Sequence, residues 1–215
     1  MYFLFNWFVK ITGWIVQVFA FRKKVYYEDR KIQGRHIKGK AVVISNHHKV
    51  IDFALMMYLF PTRTLRCQVA ELMFEKNFFM KIFLKLLGAI KVDRTAHDFS
   101  FVGKSLDVLN KNGVVEIFPE ARIPRKDETK PIDFKVSAAY TALHANAPVI
   151  PVYTDGNYFS KKRCHVIIGK PIDLNEWVDP KLSEKENLDI ITKKLREKVI
   201  WLNDEMQRQQ EKKKI

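Results

Sequence analysis

The chain has 215 residues, the size of one domain, and no linker rich in proline, glycine or serine divides it. A domain of this length buries enough surface to fold without a disulfide or metal staple. The net charge of +14 attracts polyanions, either nucleic acid or anionic lipid headgroups. Cys67 and Cys164 lie far apart without metal-ligand spacing, so we expect reduced thiols in a cytosolic compartment.

The first 21 residues are almost wholly apolar and would form a helix ~30 Å long, about one hydrocarbon thickness. The polar or small positions share one narrow stripe, because they follow one another at helical spacing: Asn6, Lys10, Gly13 and Gln17. This pattern predicts a helix that lies in a membrane interface, or that packs its stripe on protein while its wide face meets lipid.

The basic residues Arg22, Lys23 and Lys24 are expected to bind anionic headgroups on the cytoplasmic side. The predicted division is therefore a membrane-interacting helix with its basic flank, residues 1–24, and a second unit, residues 25–215. Three other interpretations stay open. The segment could be a buried core helix. It could be a secretory signal peptide, although no positive charge precedes its apolar run. It could also span the membrane, although Lys10 would then place a charge near the bilayer centre at a cost in free energy.

Apolar, β-branched runs alternate with helical patterns along the rest of the chain. Strands are predicted at 41–45, 66–70, 89–92, 114–118, 149–154 and 165–168, and helices at 52–60, 78–87, 99–109, 136–147 and 188–202. This alternation predicts an α/β fold with helices on the faces of a sheet. Polar clusters at 46–52, 93–94 and 119–125 each follow a predicted strand, so we expect them to converge.

The first cluster contains the strongest chemical signal. His47 and Asp52 are separated by four residues, so a loop entering a helix can bring the carboxylate to one imidazole nitrogen. The other nitrogen is then a general base for a bound hydroxyl. Two alternatives remain: Asp52 could cap the following helix, and His47 with His48 could bind a metal, although no further ligands stand at familiar spacing.

Four motifs in order extend this signal. Asn46-His47-xxxx-Asp52 is followed by Val92-Asp93-Arg94, by Phe118-Pro119-Glu120-Ala121-Arg122, and by the Ala147–Val152 stretch. Together they resemble the glycerolipid acyltransferases, specifically the 1-acylglycerol-3-phosphate acyltransferases of bacterial type. The resemblance covers about residues 40 to 172. The chain departs from the pattern at Ala121, where glycine is usual, and at Lys49, where a small polar residue is common.

The resemblance implies a mixed, largely parallel sheet of the glycerol-3-phosphate acyltransferase kind, with a membrane-associated N-terminal helix. It makes His47 the base and Asp52 its partner. It also implies a phosphate-binding set with two secondary members and no metal: Arg94, Glu120 and Arg122, then Lys135 and Lys91. Arginine suits this role because its planar fork pairs with phosphate through two hydrogen bonds.

The implied reaction moves a fatty acyl group from acyl-CoA or acyl carrier protein to the free hydroxyl of 1-acylglycerol 3-phosphate, giving phosphatidic acid. It requires no bound cofactor. The expected partners are membrane lipids, the lysophospholipid and acyl carrier protein, but no nucleic acid, at the cytoplasmic face of the cell membrane. The alternatives are an acyltransferase for glycerol 3-phosphate or another lysophospholipid, and a non-catalytic lipid-binding protein.

Overall fold

A computed structural model describes residues 2–93 and 99–212 of the chain. The strands are β1 (Lys24–Tyr27), β2 (Ala41–Ser45), β3 (Leu65–Ala70), β4 (Ile90–Val92), β5 (Val114–Ile117), β6 (Val149–Thr154) and β7 (His165–Ile168). The helices are α1 (Tyr2–Thr12), α2 (Trp14–Phe21), α3 (Asp52–Leu59), α4 (Glu71–Glu75), α5 (Phe78–Leu87), α6 (Ser100–Asn110), α7 (Ser137–His144) and α8 (Glu184–Glu211), with a 3-10 turn at Leu174–Trp177.

The strands form one seven-stranded sheet in the order β1-β7-β6-β2-β5-β3-β4. Neighbouring strands run parallel except for β6 and β7, which are antiparallel. The central strand β2 is buried at every residue, as its continuous apolar sequence requires in a sheet that is covered on both faces. The predicted mixed, largely parallel α/β fold is confirmed.

Alternate residues of β2 supply two separate cores. Val43 packs with Leu55 and Phe60 on the face that also carries the N-terminal helices. Val42 and Ile44 pack on the opposite face in a core shared with α7 and α8. This alternation follows from the two-residue period of a strand. It places the N-terminal helices and α8 on opposite faces of the sheet.

The predicted strands and helices are all present, with shifts of a few residues at most ends, and α8 continues well beyond its predicted end at residue 202. Gly88 ends α5 with a left-handed φ of 74°, as its position after the apolar run indicated. Among the described residues, the sequence analysis did not predict β1, α4 or the 3-10 turn at Leu174–Trp177. Strand β1 was assigned in part to the basic flank, because Lys24 begins it.

The N-terminal segment is two helices, α1 and α2, which bend by 61° at Gly13. No helix among residues 2–93 and 99–212 is by itself long and apolar enough to cross a bilayer. Only α1 and α2 together, across this bend, reach that length and composition. The single straight helix expected from the sequence is therefore corrected to a bent pair.

The polar stripe of this pair packs on protein. Asn6 donates to the Leu87 carbonyl at 2.9 Å, and the Lys10 ammonium donates to the carbonyls of Pro61 at 3.0 Å and Arg63 at 2.6 Å. Gly13 lies so close to the Tyr58 hydroxyl that a methyl group there would collide with it. Burial lowers the pKa of Lys10 to about 8.

The opposite side of the pair carries large exposed apolar side chains: Phe3, Leu4, Phe8, Ile11, Ile15 and Phe19. This arrangement inverts the usual amphipathic helix, since polar groups face the protein and apolar groups face outward. A buried core helix would show neither feature. Of the two arrangements that the sequence pattern predicted, the structure shows the packing of the polar stripe on protein.

The basic flank behaves differently from expectation. Arg22 is exposed, but Lys23 bonds to Gln17 and lies over the Tyr58 ring. Burial, with help from Arg35, lowers the pKa of Lys23 to about 8. Lys24 begins β1 and lies over the Tyr26 ring. Two of the three basic side chains are thus held against the protein, because the chain enters the sheet immediately after α2.

Candidate active site

Two polar loops meet at the carboxyl ends of the neighbouring parallel strands β2 and β5. The backbone amide of His47 donates to the Glu120 carboxylate at 2.6 Å, which joins the loop after β2 to the loop after β5. The expected convergence is therefore observed for two of the three clusters. In the third, Asp93 lines a cavity of about 390 Å³ with Phe118 and Lys135, while Arg94 lies outside the described residues.

His47 and Asp52 form a hydrogen-bonded dyad, with 2.7 Å between Nδ1 and Oδ2. The same Oδ2 accepts the backbone amides of His48 at 2.6 Å and Lys49 at 2.9 Å. Asp52 is completely buried and is the first residue of α3, where the helix dipole favours a negative charge. All three donors bond to Oδ2 and offset part of the cost of burying this carboxylate. Asp52 bonds only to Nδ1 of His47, so Nε2 is not occupied by this carboxylate.

The helix-capping alternative for Asp52 does not hold. Ile51 is the N-cap of α3, and no side chain caps that helix terminus. Asp52 instead accepts from the loop that precedes the helix. Its carboxylate therefore shapes the loop that carries His47.

The His47 ring is held from a second side by Phe118. The two rings stack with their centroids 4.4 Å apart and their planes 20° from parallel. Phe118 immediately follows β5, so the sheet fixes the position of this aromatic wall. The stack and the Asp52 bond together restrict the imidazole to one orientation.

Glu120 connects three segments of backbone in the interior. One carboxylate oxygen accepts the His47 amide, and the other accepts the Ile132 amide at 2.9 Å. The side chain is 2% exposed, and burial raises the pKa of Glu120 against the opposing effect of these amides. Both oxygens are therefore engaged in positioning backbone, a role that the motif did not reveal.

Ala121 follows with a φ of 59°, in the left-handed region that glycine favours. The turn thus keeps the glycine-type conformation although alanine occupies the position. The departure from glycine at this position therefore does not relax the turn. The tight turn is needed because Phe118 and Glu120 both face the site.

His48 lies on the other side of the loop. Its Nε2 is 2.8 Å from the Asn46 amide nitrogen and 2.9 Å from the Thr154 carbonyl, and burial lowers the pKa of its imidazole. Its ring packs so closely on Gly156 that a Cβ there would be 2.6 Å from Cγ. The two adjacent histidines therefore have separate functions, with His48 joining the first loop to β6.

An apolar cavity of about 360 Å³ opens beside His47. His47 and Arg122 lie in its wall, which is otherwise dominated by large apolar side chains that include Phe53, Leu72, Met80, Phe83 and Phe118. A concave apolar site with a few convergent polar groups is the usual form of a small-molecule site. This one has the size and polarity to hold part of a fatty chain.

Arg122 forms a two-pronged ion pair with Glu128, at 2.7 and 2.5 Å. The Arg122 guanidinium, aided by the Arg125 amide, lowers the pKa of Glu128 to about 2. Both residues line a polar groove of about 620 Å³ that also contains Lys135. Glu128 lacks any motif signal, and the sequence analysis missed it.

Lys91, the other secondary candidate for phosphate binding, lies apart from this groove. Its ammonium nitrogen is 3.9 Å from a carboxylate oxygen of Glu71 and 3.8 Å from one of Glu75.

Three backbone amides of the first motif are already engaged. Those of His47, His48 and Lys49 all donate to carboxylates. Backbone amides that are free to donate are a usual means of stabilising an oxyanion in acyl transfer. These three are excluded from that role, because each N–H has its acceptor inside the protein.

A model of the acyltransferase family matches residues 22–155. Human 1-acyl-sn-glycerol-3-phosphate acyltransferase beta is 26% identical over 145 residues, which cover 67% of this chain and 51% of the human protein. The mouse alpha enzyme is 28% identical over 142 residues, 61% of this chain and 49% of its own. The 1-acyl-sn-glycerol-3-phosphate acyltransferase of Limnanthes douglasii is 26% identical over 174 residues, which cover 72% of this chain and 58% of the plant protein.

The chain spans about half the length of the curated relatives it matches. A crystal structure of the 1-acyl-sn-glycerophosphate (LPA) acyltransferase PlsC from Thermotoga maritima superposes with a TM-score of 0.56. That alignment covers 82% of this chain and 73% of the other at 16% identity. At that identity the likeness concerns the fold alone.

Proposed function

We propose, since this chain belongs to the acyltransferase family, that it transfers a fatty acyl group from a thioester to the free hydroxyl of 1-acylglycerol 3-phosphate. The product is phosphatidic acid. The observation that carries this proposal is the His47–Asp52 dyad in the wall of an apolar cavity. The relatives named above, all 1-acylglycerol-3-phosphate acyltransferases, support the choice of acceptor.

In the proposed mechanism, Nε2 of His47 takes the proton from the acceptor hydroxyl as its oxygen attacks the thioester carbonyl carbon. The new C–O bond forms, the C–S bond breaks, and the imidazolium returns the proton to the departing thiolate. Asp52 stabilises the transient imidazolium through the 2.7 Å bond to Nδ1. No covalent acyl-enzyme is required.

The acceptor phosphate is assigned to the basic side of the polar groove. Arg122 and Lys135 line that groove, and Arg122 also borders the apolar cavity beside His47. A lysophospholipid with its chain in the cavity can therefore present its phosphate to Arg122. Arg94 remains a predicted third ligand. Glu120 supports the site by holding the His47 loop.

The carboxylate of Glu128 occupies the fork of Arg122 that a phosphate would use. We expect Glu128→Gln to lower the KM for the lysophospholipid roughly two- to five-fold, because an exposed ion pair that competes with substrate is weak. The kcat should stay unchanged. Initial rates over a range of acceptor concentrations measure both constants.

The matched control for that variant is Glu184→Gln, which removes the partner of His144 at another exposed ion pair. It should leave KM unaltered. A higher KM in Glu128→Gln would contradict the competition and indicate that Glu128 orients Arg122 for binding.

The donor is either acyl-CoA or acyl carrier protein, and the charge of +14 suits both anionic donors without selecting one. An acceptor other than 1-acylglycerol 3-phosphate, either glycerol 3-phosphate or another lysophospholipid, is the second candidate within the family. The candidate of another class is a lipid-binding protein without turnover.

The decisive assay uses protein purified in detergent with labelled acyl-CoA, and follows product by thin-layer chromatography. Phosphatidic acid formed from 1-acylglycerol 3-phosphate supports the proposal. Product with glycerol 3-phosphate alone changes the acceptor and keeps the reaction. Absence of product with either acceptor and either donor, while liposome binding persists, favours the lipid-binding protein.

The exposed apolar side of α1 and α2 is assigned to the cytoplasmic face of the cell membrane. Exposed apolar surface of this extent is unusual on a soluble protein and marks an interaction surface. Asn6 and Lys10 of the polar stripe bond to the domain, so their side chains stay out of lipid when the opposite side inserts. The acceptor and product reside in that membrane.

We expect the triple variant Phe8→Ser, Ile15→Ser and Phe19→Ser to lower partitioning into neutral liposomes roughly 10- to 100-fold. Each substitution removes an exposed apolar side chain whose transfer from water to lipid is favourable. Liposome flotation measures the partition. Ile190→Ser with Trp201→Ser removes exposed apolar side chains from α8, on the opposite face, and should have no effect. Equal losses in both variants would contradict a specific membrane surface.

A further inference from the structure

The connection between β6 and β7 contains an exposed tip, Phe159-Ser160-Lys161-Lys162-Arg163, here called the basic loop. Backbone hydrogen bonds join it to the end of α2: the Phe159 amide donates to the Ala20 carbonyl at 2.8 Å, and the Cys164 amide to the Phe21 carbonyl at 3.2 Å. The Arg22 guanidinium also donates to the Lys161 carbonyl at 2.9 Å. The basic loop and the apolar surface of α2 are therefore held together.

Phe159 is displayed to solvent at a conformational cost. Its φ of 53° lies in the left-handed region, which is disfavoured for a bulky side chain. The side chain is nevertheless 65% exposed. Its backbone bonds to Ala20 of α2, the helix in which Phe19 is 74% exposed. Phe159 therefore adds one more aromatic side chain to the exposed apolar surface of α2.

The three basic side chains next to Phe159 are also exposed. Within residues 2–93 and 99–212, Lys161, Lys162 and Arg163 have no ion-pair partner. Lys23 and Lys24, which the sequence suggested as the headgroup ligands, lie instead against aromatic rings. Free positive charge at this end of the molecule is thus concentrated in the basic loop and Arg22.

We propose that the basic loop is a second membrane contact, in which Phe159 enters the interface while Lys161, Lys162 and Arg163 bind anionic lipid headgroups. This inference rests on the proposed membrane contact of α1 and α2. A lipid surface fits better than a soluble acidic protein, because the charges border an exposed apolar surface. An aromatic residue flanked by basic residues has the composition of a membrane interface.

The test compares flotation of the full-length protein with vesicles of phosphatidylcholine alone and with vesicles containing phosphatidylglycerol. The loop variant carries Lys161→Gln, Lys162→Gln and Arg163→Gln. The control variant, Lys181→Gln, Lys185→Gln and Lys193→Gln, loses the same charge from exposed positions in and beside α8, on the other face of the sheet. Thermal melting confirms that each variant is folded.

We expect the loop variant to lose roughly 10- to 100-fold of its partition into anionic vesicles, since each basic residue near such a surface contributes separately. Its binding to neutral vesicles, and the anionic binding of the control variant, should be unchanged. Phe159→Ser should weaken binding to both kinds of vesicle. The anionic preference should also decline with added salt.

Equal losses in the loop and control variants would overturn the proposal, because net charge alone would then explain binding. A loop variant that binds vesicles normally but shows a raised KM for acyl-CoA or acyl carrier protein in neutral detergent would also overturn it and identify the donor as the occupant. The vesicle measurement involves no turnover, so its failure is distinguishable from failure of the proposed reaction.

Discussion

Replacing His47 with alanine should lower kcat roughly 10²- to 10⁴-fold, the range for loss of a positioned general base. The variant should fold normally. The interactions that shape the loop use the backbone amide of His47, which alanine retains, and the Asp52 carboxylate keeps its two amide donors. Turnover under saturating acceptor, followed as phosphatidic acid, measures the effect.

His48→Ala is the matched control, because it removes the same ring from the next residue. The His48 ring contacts Asn46 and Thr154, and its backbone amide to Asp52 is preserved in alanine. We expect a loss of kcat well below that of His47→Ala. Near-normal turnover in His47→Ala, or equal losses in both variants, would exclude His47 as the specific base.

Glu120→Ala should lower the free energy of unfolding by about 2–5 kcal/mol, because it leaves the partly buried amides of His47 and Ile132 without acceptors. We also expect kcat to fall roughly 100-fold, since a small displacement of the His47 loop removes the base from its productive position. KM for the acceptor should change much less. Urea denaturation and steady-state kinetics supply the three values.

This prediction separates two roles for Glu120. A residue that contacts the acceptor would raise KM with little effect on stability, whereas a residue that positions the loop lowers kcat and stability together. Glu28→Ala is the stability control, because Glu28 accepts the Lys170 amide at 2.9 Å and the Lys198 ammonium at 2.8 Å. It should destabilise the protein while sparing kcat.

Much of the fold was predictable because its strands and helices have strong local signals. Three local patterns each favour one secondary structure strongly over the others. They are the AVVIS run of β2, the glycine after α5 and the regular apolar spacing of α8. Strand β1 was missed because Lys24-Val25-Tyr26-Tyr27 is short and joins the edge of the sheet by pairing with β7, a partner far away in sequence.

The candidate site shows the same division. The motif spacing identified His47 and Asp52, since five residues suffice for a loop to return to its own helix. Glu128 gave no such signal. Its interaction with Arg122 depends on how the loop after β5 folds over the groove, and an isolated Glu in a polar stretch is usually solvated.

The sequence by itself determined the alternation of strands and helices, the spacing of the dyad and the polar stripe of the N-terminal segment. All three depend on spacing within one element or loop, where chain geometry leaves few alternatives. Only the tertiary structure decided that Glu120 holds backbone, that Lys23 and Lys24 turn inward, and that the basic loop lies beside α2. Those features depend on segments distant in sequence, whose contacts arise only when the sheet order brings them together.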